Sequence, residues 1–233
     1  MERRVTLKAW ISLVGMLAVW GAAFAQPVAP ERPRTIDTLP SVIPIFPLED
    51  ATLFPKAANL FHIFEPRYRA MVADALKGER IIGMVTLKPG FEANYEGRPA
   101  IHAIGCAGVI ENFEELPDGR FNILLRGLTR FRVVSEDQSR PYRLAGVEAI
   151  ADTLDDNEKD ALHTQRQRLE QLVTKPGSAS AIPPDISDEE VVNTLAIRLP
   201  VDPGERQGLL ELDRLLLRSQ ALVDLLAPPP TRR

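Results

Sequence analysis

Leu116-Pro117-Asp118-Gly119-Arg120, running into Phe121-Asn122-Ile123-Leu124-Leu125-Arg126-Gly127-Leu128-Thr129-Arg130-Phe131-Arg132-Val133, carries the strongest strand pattern in this chain of 233 residues. Pro-Asp-Gly is a turn signal, because proline presets one backbone angle and glycine supplies a positive φ. Beyond the turn, Phe121, Ile123 and Leu125 alternate with Asn122, Leu124 and Arg126, and Phe131 and Val133 alternate with Arg130 and Arg132. Period-2 patterning beside a tight turn predicts an antiparallel meander. Outward from it lie further strand-like runs, Ile101 to Phe113 before the turn and Tyr142 to Ile150 after it, with Ile81 to Leu87 and Val42-Ile43-Pro44-Ile45-Phe46 upstream. Proline in the last run suits a sheet edge or a strand's first residue.

One helix interrupts the strands. Tyr68, Met71, Val72, Ala75 and Leu76 recur at helical spacing, with Pro66 at the start and Gly78 past the last turn. A single helix among about six short strands predicts a small antiparallel β-barrel over residues 40–152, since an all-parallel sheet needs a crossover for each strand. After Asp152 the period becomes helical. Leu162, Leu169, Leu172 and Val173 mark a helix ended by Lys175-Pro176-Gly177; Ser187 with Glu190 and Asp202-Pro203 with Glu205 form capping boxes; Leu215, Leu222, Val223 and Leu226 mark a last helix before Pro228. The expected class is α+β: the barrel, a C-terminal helical bundle over 153–227 and a tail at 228–233.

The N-terminus has a different texture. Arg3, Arg4 and Lys8 precede an apolar run from Ala9 to Trp20, and Ala23-Phe24-Ala25 presents small residues where an export peptidase reads them. That layout predicts a signal peptide over 1–25, cleaved after Ala25, and a periplasmic or secreted product. The rival reading is an uncleaved anchor, but 17 residues broken by Gly15 and Gly21 are short for a bilayer span. The Sec route is the expectation, although Arg3-Arg4-Val5-Thr6-Leu7-Lys8 resembles a twin-arginine motif. Pro27, Pro30 and Pro33 make residues 26–39 an extended tether. The whole chain has net charge −4; removing a leader with three basic residues and one acidic residue leaves 208 residues at −6. Such a charge lacks the basic field of nonspecific nucleic-acid binding. Cys106 is the sole cysteine, so stability must come from apolar burial.

Pro44-Ile45-Phe46-Pro47-Leu48, Leu53-Phe54-Pro55 and His62-Ile63-Phe64-Glu65-Pro66-Arg67-Tyr68-Arg69 together resemble the opening of the N-terminal substrate-binding domain of Lon proteases. The likeness continues through Gly105-Cys106, Leu116 to Arg120, Gly127-Leu128-Thr129-Arg130-Phe131-Arg132, Leu199-Pro200, Arg206-Gln207 and Leu209-Leu210-Glu211, covering about residues 40–227. The resemblance implies a PUA-like barrel followed by a helical lobe. It makes His62, Glu65, Pro66, Arg67, Tyr68, Gly119, Gly127 and Phe131 signature positions, whose expected role is structural. No Gly-x-x-x-x-Gly-Lys-Ser/Thr loop occurs to cradle nucleotide phosphates, and nothing matches the family's Ser-Lys peptidase. The expectation is a stand-alone, exported, noncatalytic module without cofactor, binding unfolded or extended polypeptide segments and cooperating with a separate protease. A groove between the lobes or an exposed strand edge would serve.

Arg126, Arg130 and Arg132 share one parity, which predicts a cationic strip and the first candidate for peptide contact. Cys106 and His102 are four strand residues apart, about 13 Å, too far for thiol activation. His62, His102 and His163 match no metal-ligand spacing. Two rival functions remain: an exported hydrolase using His62 or Cys106, and an RNA-binding PUA-like protein, which the acidic charge and leader oppose.

Overall fold

A computed structural model describes residues 39–90, 97–137, 139–174, 182–183, 185–198 and 201–227. The expected leader with Ala23 and Ala25, the tether up to residue 38, the Lys175-Pro176-Gly177 breaker and the tail lie outside the described residues. Six strands come first: β1 (Val42–Leu48), β2 (Ala58–Ile63), β3 (Ile81–Thr86), β4 (Ile104–Glu115), β5 (Phe121–Asp137) and β6 (Arg143–Ile150). Helix α1 (Pro66–Leu76) falls between β2 and β3, and α2 (Lys159–Val173), α3 (Asp188–Arg198), α4 (Pro203–Glu211) and α5 (Leu215–Leu226) follow the sheet. Strand order is β2-β5-β4-β3-β1-β6, and β6 also pairs with β5, so the pairing returns on itself and, among the described residues, leaves β2 with one partner. The class is α+β.

The expected all-antiparallel barrel needs one correction. β1 and β3 pair in parallel, Ile45 opposite Gly83 and Phe46 opposite Met84. Parallel neighbours cannot be joined by a tight turn; here the chain leaves β1, runs along β2 and α1, and comes back as β3. The first proline-bearing run is therefore no sheet edge: β1 sits between β3 and β6, with Val42 opposite Gly146.

Helix α1 forms as its spacing predicts. Pro66 occupies the first turn, and the Glu65 carbonyl accepts from the Tyr68 and Arg69 amides at 3.0 and 2.9 Å. Tyr68, Met71, Val72 and Ala75 are buried, one stripe at i, i+3, i+4 and i+7. The stop differs in detail. The left-handed residue is Arg80, φ 62°, and not Gly78. Its amide reaches back to the Ala75 carbonyl and its carbonyl accepts from Ile110, so entry into the β3–β4 pairing sets that angle. The other caps hold: Ser187 Oγ accepts the Glu190 amide, and Asp202 Oδ1 accepts the Gly204 amide.

Two apolar cores result. The larger one joins one face of the strands to α1 and the C-terminal helices, through Phe54, Met71, Ile123, Leu125, Leu209 and Leu222 among others. The smaller one, built from Ile43, Ile45, Val85, Ala107, Phe131, Ala145 and Val147, lies on the other side of the strands. β5 serves both because it carries bulges. Gly108 faces Gly127 while Ala107 faces Thr129, so Leu128 is an extra residue and side-chain parity inverts there. Ile123 and Leu125 before the bulge point into the first core, and Phe131 beyond it into the second.

Phe131 is fully buried at the centre of the smaller core. Phe131→Ala should lower stability by about 3–5 kcal/mol in urea unfolding, whereas Val134→Ala, at a position 54 % exposed, should stay within about 0.5 kcal/mol.

Candidate functional site

The parity inversion at Leu128 decides where the arginines of β5 go. The expected cationic strip does not form. Arg126 lies before the bulge and is half-exposed; it donates to Glu111 at 2.6 Å, to Glu190 of α3 at 3.3 Å and to the Lys56 carbonyl at 2.7 Å. Arg130 lies after it, turned to the helices and 1 % exposed. Arg132 alone is exposed. The three side chains therefore end in three environments, and a single peptide carboxylate cannot meet them together.

Arg130 instead builds the junction between sheet and helices. Its Nε donates to Asp152 Oδ1, and its terminal nitrogens donate to the carbonyls of Leu210 and Asp213, both at 3.2 Å. Arg218 of α5, wholly buried, meets the same carboxylate from the other side: Nη1 to Oδ2 at 2.7 Å and Nη2 to Oδ1 at 3.1 Å. It also donates to the Leu209 and Leu212 carbonyls and to Asn193 Oδ1, while Asn193 Nδ2 donates to the Pro55 carbonyl at 2.9 Å. Gln207 donates to the Ile104 carbonyl at 3.0 Å. The boundary where a groove was expected is thus filled by hydrogen-bonded side chains.

Apart from His62, which is exposed, the signature residues take structural positions. Tyr68 packs on Phe46 with ring centroids 4.5 Å apart, and Arg67 lies over the Tyr68 ring while donating to Glu65. Arg69 Nε donates to the Gly119 carbonyl at 2.6 Å, pinning the Pro-Asp-Gly turn, where Gly119 has φ 77°. Gly127 crosses the Phe54-Pro55 backbone so closely that a Cβ would lie 2.0 Å from the Phe54 oxygen.

None of the chemical pairings proposed for a hydrolase assembles. Cys106 is fully buried, its Sγ donating to the Ala107 carbonyl, and burial pushes its thiol far above the usual range, with Asp152 adding to the rise. His62 is on the surface between Asn122 at 2.8 Å and Arg120 at 3.2 Å. His102 pairs with Glu211 and His163 with Asp188, each in a different part of the molecule.

The feature that sequence reasoning passed over is the outer face of β2. Among the described residues β2 pairs with β5 alone, Leu60 opposite Leu124 and His62 opposite Asn122. Leu60 is 74 % exposed and Phe64 61 %, with His62 between them and its ring stacked on Phe64 at 6.2 Å. The Leu60 amide, facing away from β5, is held by Asn59 Oδ1 at 3.0 Å. In sequence, Leu60 to Phe64 is an apolar run in which alternate residues must face opposite ways; that alternation was the available signal.

The sequence profile of the ATP-dependent protease La (LON) substrate-binding domain matches residues 42–227. Lon protease from Anaeromyxobacter dehalogenans is 26% identical over 214 residues, which cover 88% of this chain and 25% of that protein. Lon protease 2 from Myxococcus xanthus is 28% identical over 215 residues, 88% of this chain and 26% of that protein. The chain thus spans about a quarter of the length of these curated relatives. Among solved structures, the Lon N-terminal domain protein from Xanthomonas campestris matches with TM-score 0.53 and 25% identity, over 78% of this chain and 97% of its own. The N-terminal domain of the Mycobacterium avium complex Lon protease shares the fold, with TM-score 0.63 at 14% identity, over 79% of this chain and 97% of its own. The chain belongs to the LON substrate-binding domain family.

Two outcomes test the junction and the thiol. Asp152→Asn leaves two buried guanidinium groups without their carboxylate and should cost about 3–5 kcal/mol in denaturant unfolding, against near-neutral Arg132→Ala. Cys106 should resist a thiol-directed dye in the native protein and react stoichiometrically once the chain is unfolded.

Proposed function

We propose that this family member is a noncatalytic module that takes extended polypeptide segments along the free edge of β2. The observation that carries the reading is the exposed Leu60–Phe64 edge at the end of the strand order. Soluble proteins ordinarily guard such edges with charge, proline or a covering loop, because unpaired backbone groups and apolar side chains invite association. Here the outward side chains are Leu60, His62 and Phe64. An added strand would gain main-chain hydrogen bonds whatever its sequence, and Leu60 and Phe64, two steps either side of the middle position, would select apolar residues at alternate places. That is the tolerance a substrate-recognition surface requires.

In this reading the module works after export and apart from an ATPase, handing clients to a separate protease. Support for export is the basic start, the Ala9–Trp20 apolar run and Ala23-Phe24-Ala25. The net charge of −4 speaks against RNA as the ligand.

A photo-crosslinking residue at position 64 should capture a permanently unfolded model polypeptide, and one at position 134, near the other end of β5, should not. Leu60→Lys with Phe64→Lys should cut capture about tenfold without shifting the thermal midpoint. Equal labelling at both positions would sink the edge reading. For export, the periplasmic product should have the mass of a chain beginning at Gln26 and no tryptophan absorbance, since Trp10 and Trp20 are the only two.

A further inference from the structure

Away from the β2 edge, a cavity of about 220 Å³ opens where the start of α1, the start of β6 and the segment before β4 come together. Three arginines line it, Arg67, Arg98 and Arg143, together with Tyr68 and Tyr142. Among the described residues, none in the lining is acidic, and three of them are prolines, which have no amide hydrogen to offer.

Arg67 donates to Glu65 at 2.9 Å. Arg143, 7 % exposed, is fixed by Glu136 and by the Pro99 carbonyl at 2.8 Å, so its guanidinium is locked in place. Arg98 has a different partner: it donates to the Asp137 main-chain carbonyl at 3.3 Å, while the Asp137 carboxylate accepts the Ser139 amide. Among the described residues, Arg98 has no carboxylate within ion-pair distance. On the far wall, the Tyr142 hydroxyl is committed to Asp74 of α1, which Arg140 also approaches. Among the described residues, Arg98 is thus the guanidinium at this half-apolar cavity that no carboxylate meets.

We propose that this cavity binds a carboxylate carried on a single apolar or aromatic residue, the free C-terminus of a polypeptide. Size decides against larger anions, because pockets for nucleotides and drug-sized ligands run from about 300 Å³ upward. Charge and geometry favour carboxylate, which a guanidinium grips through paired N–H donors. The tyrosine rings then cover the last side chain. The site lies apart from the β2 edge and does not depend on that edge taking peptide.

The test uses the full chain and four probes: N-acetyl-phenylalanine, its C-terminal amide, N-acetyl-glutamate amide and inorganic phosphate. In NMR titrations the first should move resonances of Tyr68, Arg98 and Tyr142 to saturation, and its amide should not. Arg98→Gln should weaken binding about tenfold with an unchanged thermal midpoint, and Leu60→Lys with Phe64→Lys should leave it as it was. Equal shifts from the acid and its amide, or no shift at the cavity residues, would overturn the proposal. Tighter binding of the glutamate probe would reassign the site to acidic side chains, and shifts from phosphate alone would reassign it to inorganic anions, each rejecting the C-terminal reading.

Discussion

Arg130 and Arg218 approach one carboxylate, Asp152, from opposite sides, and the attachment of the helices to the sheet rests on how that buried charge is balanced. Removing ions from water costs several kcal/mol each, and two cations on one anion leave a surplus. Helix α4 supplies the remainder. Its last carbonyls, Leu209 and Leu210, and those of Leu212 and Asp213 just beyond, accept the other guanidinium hydrogens. These are the acceptors a helix C-terminus leaves unpaired, and they carry the negative end of the helix dipole. The two arginines are therefore the C-cap of α4, one delivered by the sheet and the other by α5.

This arrangement explains why the helices cannot be placed independently. Asn193 from α3 links Arg218 to the Pro55 carbonyl, and Gln207 from α4 reaches Ile104 at the start of β4. Apolar contact supplies the bulk of the attraction; the polar atoms set the orientation, since each would be an unpaired buried group in any other docking. The β2 edge and the arginine-lined cavity lie outside this junction.

Much of this was legible in the residues. Alternation located β5, helical spacing located α1, and the Ser187 and Asp202 caps located α3 and α4, because each depends on neighbours close in sequence. The arginine strip failed for a definite reason: one extra residue, Leu128, puts Arg126 and Arg130 on opposite faces, and the helices then cover Arg130 while Arg132 stays exposed. Asp152 read as a boundary between lobes because its two partners lie 22 and 66 positions away. The parallel β1–β3 pair was equally hidden, since strand direction follows from the path of the chain and not from the pattern within a strand. Arg98 and Arg143 carried no periodic signal at all; their meeting with Arg67 is a product of topology.

The position of β1 has a consequence for how the molecule comes into being. Its two neighbours are β3 and β6, and Val42 finds Gly146 only after about a hundred further residues exist. The first of the described strands to emerge during synthesis is thus among the last to be secured, and its Val-Ile-Pro-Ile-Phe run stays unpaired meanwhile. Long-range closure of this kind slows folding and prolongs the exposure of sticky segments. Pro44 and Pro47, which cannot donate to a wrong partner, sit within that waiting strand as a kinetic safeguard.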